Sequence, residues 1–446
     1  MKTQTLKPYP EYAASGLPWL AEVPEHWATE RAKWLFQRMG RPVRSDDDVV
    51  TCFRDGIVTL RKKRRVRGFT ESLKEIGYQG VREGDLVIHA MDAFAGAAGV
   101  SDSDGKCTPV YAVCQPKQDV DPRYYAHIVR EMARTQWIAA LAKGIRERST
   151  DFRFDDFAGQ VVPVPTKDEQ QGIVAFLAHA DRRINRIIRA RRRLISLLNE
   201  QKQAIIQRAV TRGVGPNVHL RPSGVDSLGD IPEQWEVRRL KLVAQLHRGY
   251  DLPDYRRIEG DYPVISSGGV IGTHAEFMIA GPGVVTGRYG STGRVYYIES
   301  DYWPHNTALY VSEFHGNVPR YVYYLLQTLT FGAHSAKSAV PGIDRKDLYP
   351  IAVPVPPIPE QQTIVEFLDV ETSGVEATIV EVQRTIDFIR EYRNRLISDV
   401  VTGRLDVRDV ELPALDEDEM IGEWDEGTEE EPDETTETEE IALADV

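Results

Sequence analysis

The sequence predicts an α+β protein made by duplication, two mixed domains each followed by one long helix. Three observations predict it. Val162-Pro163-Val164-Pro165, with Glu169-Gln170-Gln171, Ile173-Val174 and Phe176-Leu177 behind it, is spelled again as Val353-Pro354-Val355-Pro356, Glu360-Gln361-Gln362, Ile364-Val365 and Phe367-Leu368. The offset is 191 at every matched position and still holds at Val210-Thr211 and Val401-Thr402. Register kept that long marks an internal repeat. A second element, Val23-Pro24-Glu25-His26-Trp27 with Arg31 and Lys33, returns 208 residues later as Ile231-Pro232-Glu233-Gln234-Trp235 with Arg239 and Lys241. The repeat is therefore a whole unit whose second variable block is 17 residues shorter. Third, an apolar seam with coiled-coil spacing follows each Pro-Val-Pro segment.

Composition bounds the function. At 446 residues the chain has room for about three domains of ordinary size. It has no run of eighteen apolar residues, and Met1-Lys2-Thr3-Gln4-Thr5 does not read as a signal peptide, so a cytoplasmic protein is expected. Cys52, Cys107 and Cys114 are too few and too irregular for a disulfide framework or a zinc site. The net charge of −13 is uneven: residues 411–446 hold 17 acidic residues and no Lys or Arg. Without them 55 basic face 51 acidic residues, a body of about +4. Low hydrophobicity and like charge predict a disordered, solubilising tail, with a partner-binding or DNA-mimicking role as the alternative.

The variable blocks, roughly 28–160 and 236–351, share little sequence but keep one order of elements. Gly84-Asp85-Leu86-Val87-Ile88 and Gly283-Val284-Val285-Thr286 read as strands, each running into a loop of small residues. Thr108-Pro109-Val110-Tyr111 corresponds to Thr307-Ala308-Leu309-Tyr310. Asp121-Pro122-Arg123-Tyr124-Tyr125 corresponds to Val318-Pro319-Arg320-Tyr321-Val322, with Pro at the first turn of a helix. Each block is expected to be a mixed sheet with flanking helices.

The Pro-Val-Pro elements are extended, because Pro removes a donor and biases its neighbours away from helix. Thr166 and Glu169 form a capping box for the first long helix, and Pro359 suits the first turn of the second. Ile173, Leu177, Ala180, Ile184, Ile187, Leu194, Leu198 and Ile205 alternate steps of three and four, with Arg191 and Gln201 on the same frame. The second seam is Ile364, Leu368, Val375, Ile379, Val382, Ile386, Ile389 and Leu396. Gly213 and Gly403 lie just past the helix ends, where a left-handed cap is needed. Residues 167–213 hold 11 basic and 4 acidic residues, and 358–404 hold 5 basic and 9 acidic. That asymmetry favours pairing of the two helices with each other over self-pairing.

Catalytic chemistry finds no foothold. Gly99 to Lys106 has the wrong spacing for a phosphate loop, and Asp102-Ser103-Asp104-Gly105 lacks calcium ligands at the first and twelfth loop positions, Val100 and Tyr111. Helix-borne His pairs, Cys-x-x-Cys and Gly-x-Ser-x-Gly are absent, so no metal site or catalytic residue is expected. Binding chemistry remains. Arg61, Lys62, Lys63, Arg64, Arg65 and Arg67 put six cations into seven residues, suited to closely spaced phosphates or simply a solvated surface. In the second block, glycines at 268, 269, 272, 281, 283, 287, 290 and 293 would let backbone approach a ligand. Arg288, Tyr289, Ser291 and Arg294 in that segment suit a base edge or a phosphate.

Two unlike blocks, two like helices, repeated Pro-Glu-x-Trp elements and repeated Pro-x-Pro…Glu-Gln-Gln-x-Ile-Val-x-Phe-Leu segments together resemble the specificity subunits of type I restriction-modification systems. The resemblance covers roughly residues 16–410 and leaves the N-terminal arm and the acidic tail outside it. It implies two target recognition domains separated by an antiparallel coiled coil with pseudo-two-fold symmetry. The division would be residues 1–160, an arm and first recognition domain; 161–228, first spacer helix; 229–352, second recognition domain; 353–410, second spacer helix; and 411–446, the tail. Each domain would read one half of a bipartite, asymmetric stretch of double-stranded DNA. Ile173, Leu177, Ile184, Leu194 and Leu198 would pair with Ile364, Leu368, Val382, Ile389 and Leu396. Two methyltransferase subunits would dock on the coil and supply S-adenosylmethionine. Motor-nuclease subunits using ATP and Mg would join for restriction, and the chain itself would bind no cofactor. A free-standing duplicated DNA-binding regulator, a nuclease with a scattered site and a coiled-coil scaffold are the competing readings.

Overall fold

Each Pro-Val-Pro segment forms a strand on the segment behind its Pro-Glu-x-Trp element. In the computed structural model, which describes residues 6–64, 75–141, 151–215, 218–288, 293–329 and 342–412, Val161–Val164 pairs antiparallel with Ala28–Arg31. In the second repeat Ala352–Val355 pairs antiparallel with Glu236–Arg239. Proline costs these ladders little because they have only two strands and every strand is an edge. The chain divides into two units, residues 1–188 with 387–446, and residues 189–386.

The first unit holds a four-stranded antiparallel sheet, in the order Phe36–Arg38, Tyr111–Pro116, Leu86–His89, Ala98–Val100. The helix Pro122–Arg134 packs on it, with Pro122 in its first turn and the Asp121 side chain accepting from the Arg123 amide. Leu86, Ile88, Cys114, Tyr124, Tyr125 and Ile128 are fully buried between them. A second, smaller core of Val50, Cys52, Val58, Val81 and Cys107 lies under the hairpin Val50–Cys52/Val58–Leu60 and the pair Gln79–Val81/Gly105–Cys107. All three cysteines are free and buried, and burial raises each thiol's pKa, that of Cys107 to about 12.

In the second unit the same plan returns as Gln245–Arg248, Ala308–Glu313, Gly283–Gly287, Val295–Ile298, again antiparallel throughout. Its helix is Pro319–Gln327, also with Pro in the first turn. Three further strands, Gly269–His274, Tyr262–Ser266 and Trp303–Pro304, make a small mixed sheet. Shared strand order with unlike decoration is what the two dissimilar variable blocks called for.

The repeated Glu-Gln-Gln has a structural explanation. Gln170, 1% exposed, donates from Nε2 to Pro165 O (2.9 Å) and accepts from the Asp121 amide (2.7 Å), so it ties the long helix to the cap of the domain helix. Gln361, fully buried, donates to Pro356 O (3.0 Å) and Asn317 Oδ1 (2.8 Å) and accepts from the Val318 amide (2.9 Å). Two buried side chains with the same partners explain why the motif is spelled twice. Glu169 completes the predicted capping box with Thr166 and accepts from Trp27 Nε1 (3.3 Å) and bonds His26 Nε2 (2.7 Å). The second repeat keeps only part of this: Glu360 accepts from Gln234 Nε2 (3.0 Å).

The long helices run Lys167–Arg212 and Ile358–Val401 and end at left-handed Gly213 and Gly403. A Cβ on Gly403 would strike Pro24 and Trp27, and one on Gly213 would touch Trp235 and Glu360. The Pro-Glu-x-Trp tryptophans therefore seat the helix ends. Leu396, Val400 and Val401 join the core of the first unit, and Ile206, Ala209 and Val210 join the core of the second. Asp181 pairs with Arg393 (2.6 Å) in the first unit and Lys202 with Glu376 (3.0 Å) in the second. As one residue number rises its partner's falls, so the helices are antiparallel.

The seam of the second helix is buried at Ile364, Leu368, Val382, Ile386 and Leu396 and half-buried at Val375, Ile379 and Ile389. Thr372 and Arg393 fill its polar gaps. In the first helix Ile173, Leu177 and Ile184 are buried, while Ala180, Leu194, Leu198 and Ile205 are half-buried. The expected frame is corrected at Ile187, which is 46% exposed, while Ile188 is 6% exposed. Two consecutive steps of four, Ile173–Leu177–Asp181, move every second seam position on by one residue. Because Asp181 is charged, an apolar count skips it. Arg191 and Gln201 are exposed, and half-buried Lys202 takes the seam position beside Gln201.

Candidate nucleic-acid interface

The basic run begins as a single helical turn, Arg61–Arg64, directly behind the strand Val58–Leu60. Its charges meet partners within the same block. Arg64 pairs with Asp55 (2.6 Å) and lies over the Phe53 ring (4.4 Å), Lys62 pairs with Asp48, and Lys63 with Asp102 (3.5 Å). Arg61 donates to Thr51 Oγ1 (3.2 Å). Arg65 and Arg67 lie outside the described residues. Residues 41–107 hold 12 basic and 11 acidic residues, so this block is close to neutral despite its concentrated run. Six cations in sequence are not six free cations in space.

A cleft of about 610 Å³ opens elsewhere in this unit, where the segment after strand Phe36–Arg38 faces the loop before Tyr111–Pro116. Arg38, Arg41, Pro42, Tyr78, Gln79 and Pro109 line it. Arg41 is held by Asp85 through both terminal guanidinium nitrogens, and Gln79 Nε2 donates to Tyr111 O (2.8 Å). Arg38 is exposed and Tyr78 half-buried.

In the second unit Arg288 is half-buried and Arg294 exposed, whereas Tyr289 and Ser291 lie outside the described residues. The glycine expectation needs correction at two positions. A side chain on Gly283 would enter the Tyr302 ring, and one on Gly281 would meet the backbone of Glu299 and Ser300. These glycines admit the protein's own atoms. Gly268, by contrast, is exposed at a turn with nothing but Ser266 Oγ within reach of an added Cβ.

That turn is one of three segments that meet at Thr307. Thr307 O accepts from the Arg288 amide (3.0 Å), and its Oγ1 accepts from the Ser267 amide (3.3 Å) and contacts His305 Nδ1 (3.1 Å). The His305 amide donates to Ile265 O (2.8 Å), and the Tyr250 amide to Pro304 O (2.8 Å). Gly249 is required there, because a Cβ would collide with the carbonyls of Pro304 and His305. The loop Pro304–Thr307 is thus gripped from three sides, and it directly precedes Ala308–Glu313 as the cleft-lining Pro109 precedes Tyr111–Pro116. It presents His305 and Asn306 beside exposed Tyr250 and Asp251. The His305 pKa is lowered, by burial first and then by Arg257; that of Tyr310 is raised to about 12 by burial and its bond with Tyr250.

Arg38, Asp251, His305 and Asn306 went unnoticed in the sequence because isolated polar residues carry no spacing signal. Among the described residues no group of three or more His, Cys, Asp or Glu is placed to hold a metal ion. Nor, among the described residues, is any helix long and apolar enough to cross a membrane.

Comparisons with known proteins bear on these units. Residues 232–381 match the family model described as type I restriction modification DNA specificity domain. The type I restriction enzyme MjaVIII specificity subunit of Methanocaldococcus jannaschii is 32% identical over 88 residues, 20% of this chain and 19% of that protein. The MjaX specificity subunit assigned to a type I restriction enzyme of the same organism is 22% identical over 236 residues, 50% of this chain and 53% of that protein. The chain thus spans about a fifth of one relative and about half of the other. A solved chain from a study of complex assembly and conformational transition of the type I R-M system superposes with a TM-score of 0.61 at 17% identity, covering 86% of this chain and 99% of that one. Residues 232–381 thus match a type I restriction modification DNA specificity domain, parts of the chain are similar to type I restriction enzyme specificity subunits, and the fold is shared with the solved type I R-M chain.

Proposed function

We propose that this chain is the non-catalytic DNA-recognition subunit of a type I restriction-modification complex. Each unit reads one half of a bipartite, asymmetric duplex target, and two methyltransferase subunits dock on the paired long helices. The observation that carries the reading is one strand order used twice under unlike loops, Arg38–Pro42 with Pro109 in one unit and Gly249–Asp251 with Pro304–Thr307 in the other. A scaffold kept while its loops change is how binding surfaces diversify. S-adenosylmethionine, and ATP with Mg for restriction, belong to the partner subunits. The motor-nuclease subunits join for cleavage. Arg61, Lys62, Lys63, Arg64, Arg65 and Arg67 contact phosphates, with Lys62, Lys63 and Arg64 exchanging Asp48, Asp102 and Asp55 for the backbone. Arg288, Tyr289, Ser291 and Arg294 approach DNA from the second unit.

The test is co-expression with the methyltransferase subunits and mapping of methylated adenines across a genome. One split motif is expected, with the halves altered independently when residues 28–160 or 236–351 are exchanged. A continuous motif, or exchange of one block altering both halves, overturns the proposal. The competing reading, a free-standing regulator, is supported instead by tight sequence-specific binding of the isolated chain.

A further inference from the structure

The Asn306 carboxamide faces Asp251 at the mouth of the loop cluster, with Nδ2 donating to the Asp251 carboxylate. Asp251 is exposed and Asn306 half-buried, so the pair is reachable from solvent. An ionised carboxylate accepts hydrogen bonds and cannot donate them. Asp251 therefore decides which end of the amide is nitrogen, a choice that an isolated asparagine leaves open. Oδ1 and the second N–H of the same planar amide remain. Among the described residues they make no other hydrogen bond.

A donor beside an acceptor on a planar amide complements the major-groove edge of adenine, whose N7 accepts and whose N6 amino group donates. Reading a base also requires that the amide not wander. Here the loop backbone is fixed on both sides of Asn306, by His305 N to Ile265 O (2.8 Å) and by the contacts of Thr307 with Arg288 and Ser267. The Asp251 side is fixed as well, because the Tyr250 amide donates to Pro304 O (2.8 Å) and the Tyr250 hydroxyl bonds Tyr310 (3.1 Å). A surface Asn–Asp pair without such anchoring would turn freely.

We infer that Asn306 is a specificity-determining residue that recognises an adenine in the half-site read by the second unit, and that Asp251 is a positioning residue that sets its orientation. The inference rests on the DNA-reading function proposed above. It differs from the basic-run expectation, since it places base discrimination in a neutral amide and leaves phosphate contact to the arginines.

The experiment uses the full chain co-expressed with its methyltransferase subunits, with methylation profiled on a randomised-duplex library. For wild type a split motif is expected. Asn306→Ala should lose about 5- to 150-fold preference at one adenine of one half, in line with about 1–3 kcal/mol for a bidentate base contact. Asp251→Asn can donate as well as accept, so it should relax the same base and no other. Asn306→Asp is isosteric and serves if the alanine variant does not fold. An unchanged motif in folded Asn306 variants overturns the inference, as does a uniform loss over all bases. A wild-type profile without a split motif overturns the function proposed above.

Discussion

His127 shows how single residues couple this fold to pH. Its Nδ1 is buried without a partner, and burial, then Arg130 and Arg393, lower its pKa to about 3. The unfolded chain takes up that proton near pH 6.5, so between about 6.5 and 3 the unfolded state binds more protons. Stability is therefore lost as pH falls below about 6.5, at up to about 1.4 kcal/mol per pH unit for one proton. Urea melts of wild type and His127→Asn at pH 7 and 5 should show a smaller acid loss in the variant. Glu169 acts further into acid. Burial opposes its charge, but bonds from His26, Thr166 and Trp27 outweigh burial and lower its pKa. Its contribution is present above the ordinary carboxylate range and lost as pH falls through its folded value. Glu169→Gln should cost about 1.5–3 kcal/mol at pH 7, the size of a hydrogen bond to a charged group. The cost should shrink at pH 3.

At the scale of elements, the seam of the first long helix gives a sharp test. Ile188→Ala removes a buried side chain and should cost about 2–5 kcal/mol, whereas Ile187→Ala should cost under about 1 kcal/mol, read by chemical denaturation. The reverse order would restore the frame expected from the apolar count. Both long helices, their glycine ends, the capping box and both Pro-started domain helices were legible, because each depends on interactions between residues a few positions apart. The stutter at Asp181 was hidden because its seam position is charged, and its partner, Arg393, is 212 residues away. The repeated Gln170 and Gln361 were visible as a pattern. Their role as buried ties to the amides of Asp121 and Val318 was not, since those partners come from distant chain segments.

For the molecule as a whole, charge distribution carries the prediction. Removing residues 411–446 takes the net charge from −13 to about +4. The shortened chain, with its methyltransferase subunits, should bind unrelated duplex DNA more tightly below about 50 mM salt, and the gain should fade as salt rises. Equal binding at low salt would show that the tail exerts no field at the DNA surface. Duplication, fold class and helix pairing were determined by the sequence alone, because repeats and periodicity are properties of order along the chain. Which cations are paired, which glycines admit the protein's own atoms and which polar side chains gather at one loop cluster were decided only in three dimensions. Arg64 meets Asp55, Gly283 admits Tyr302, and Asn306 meets Asp251 across 55 residues, and such contacts leave no local signature.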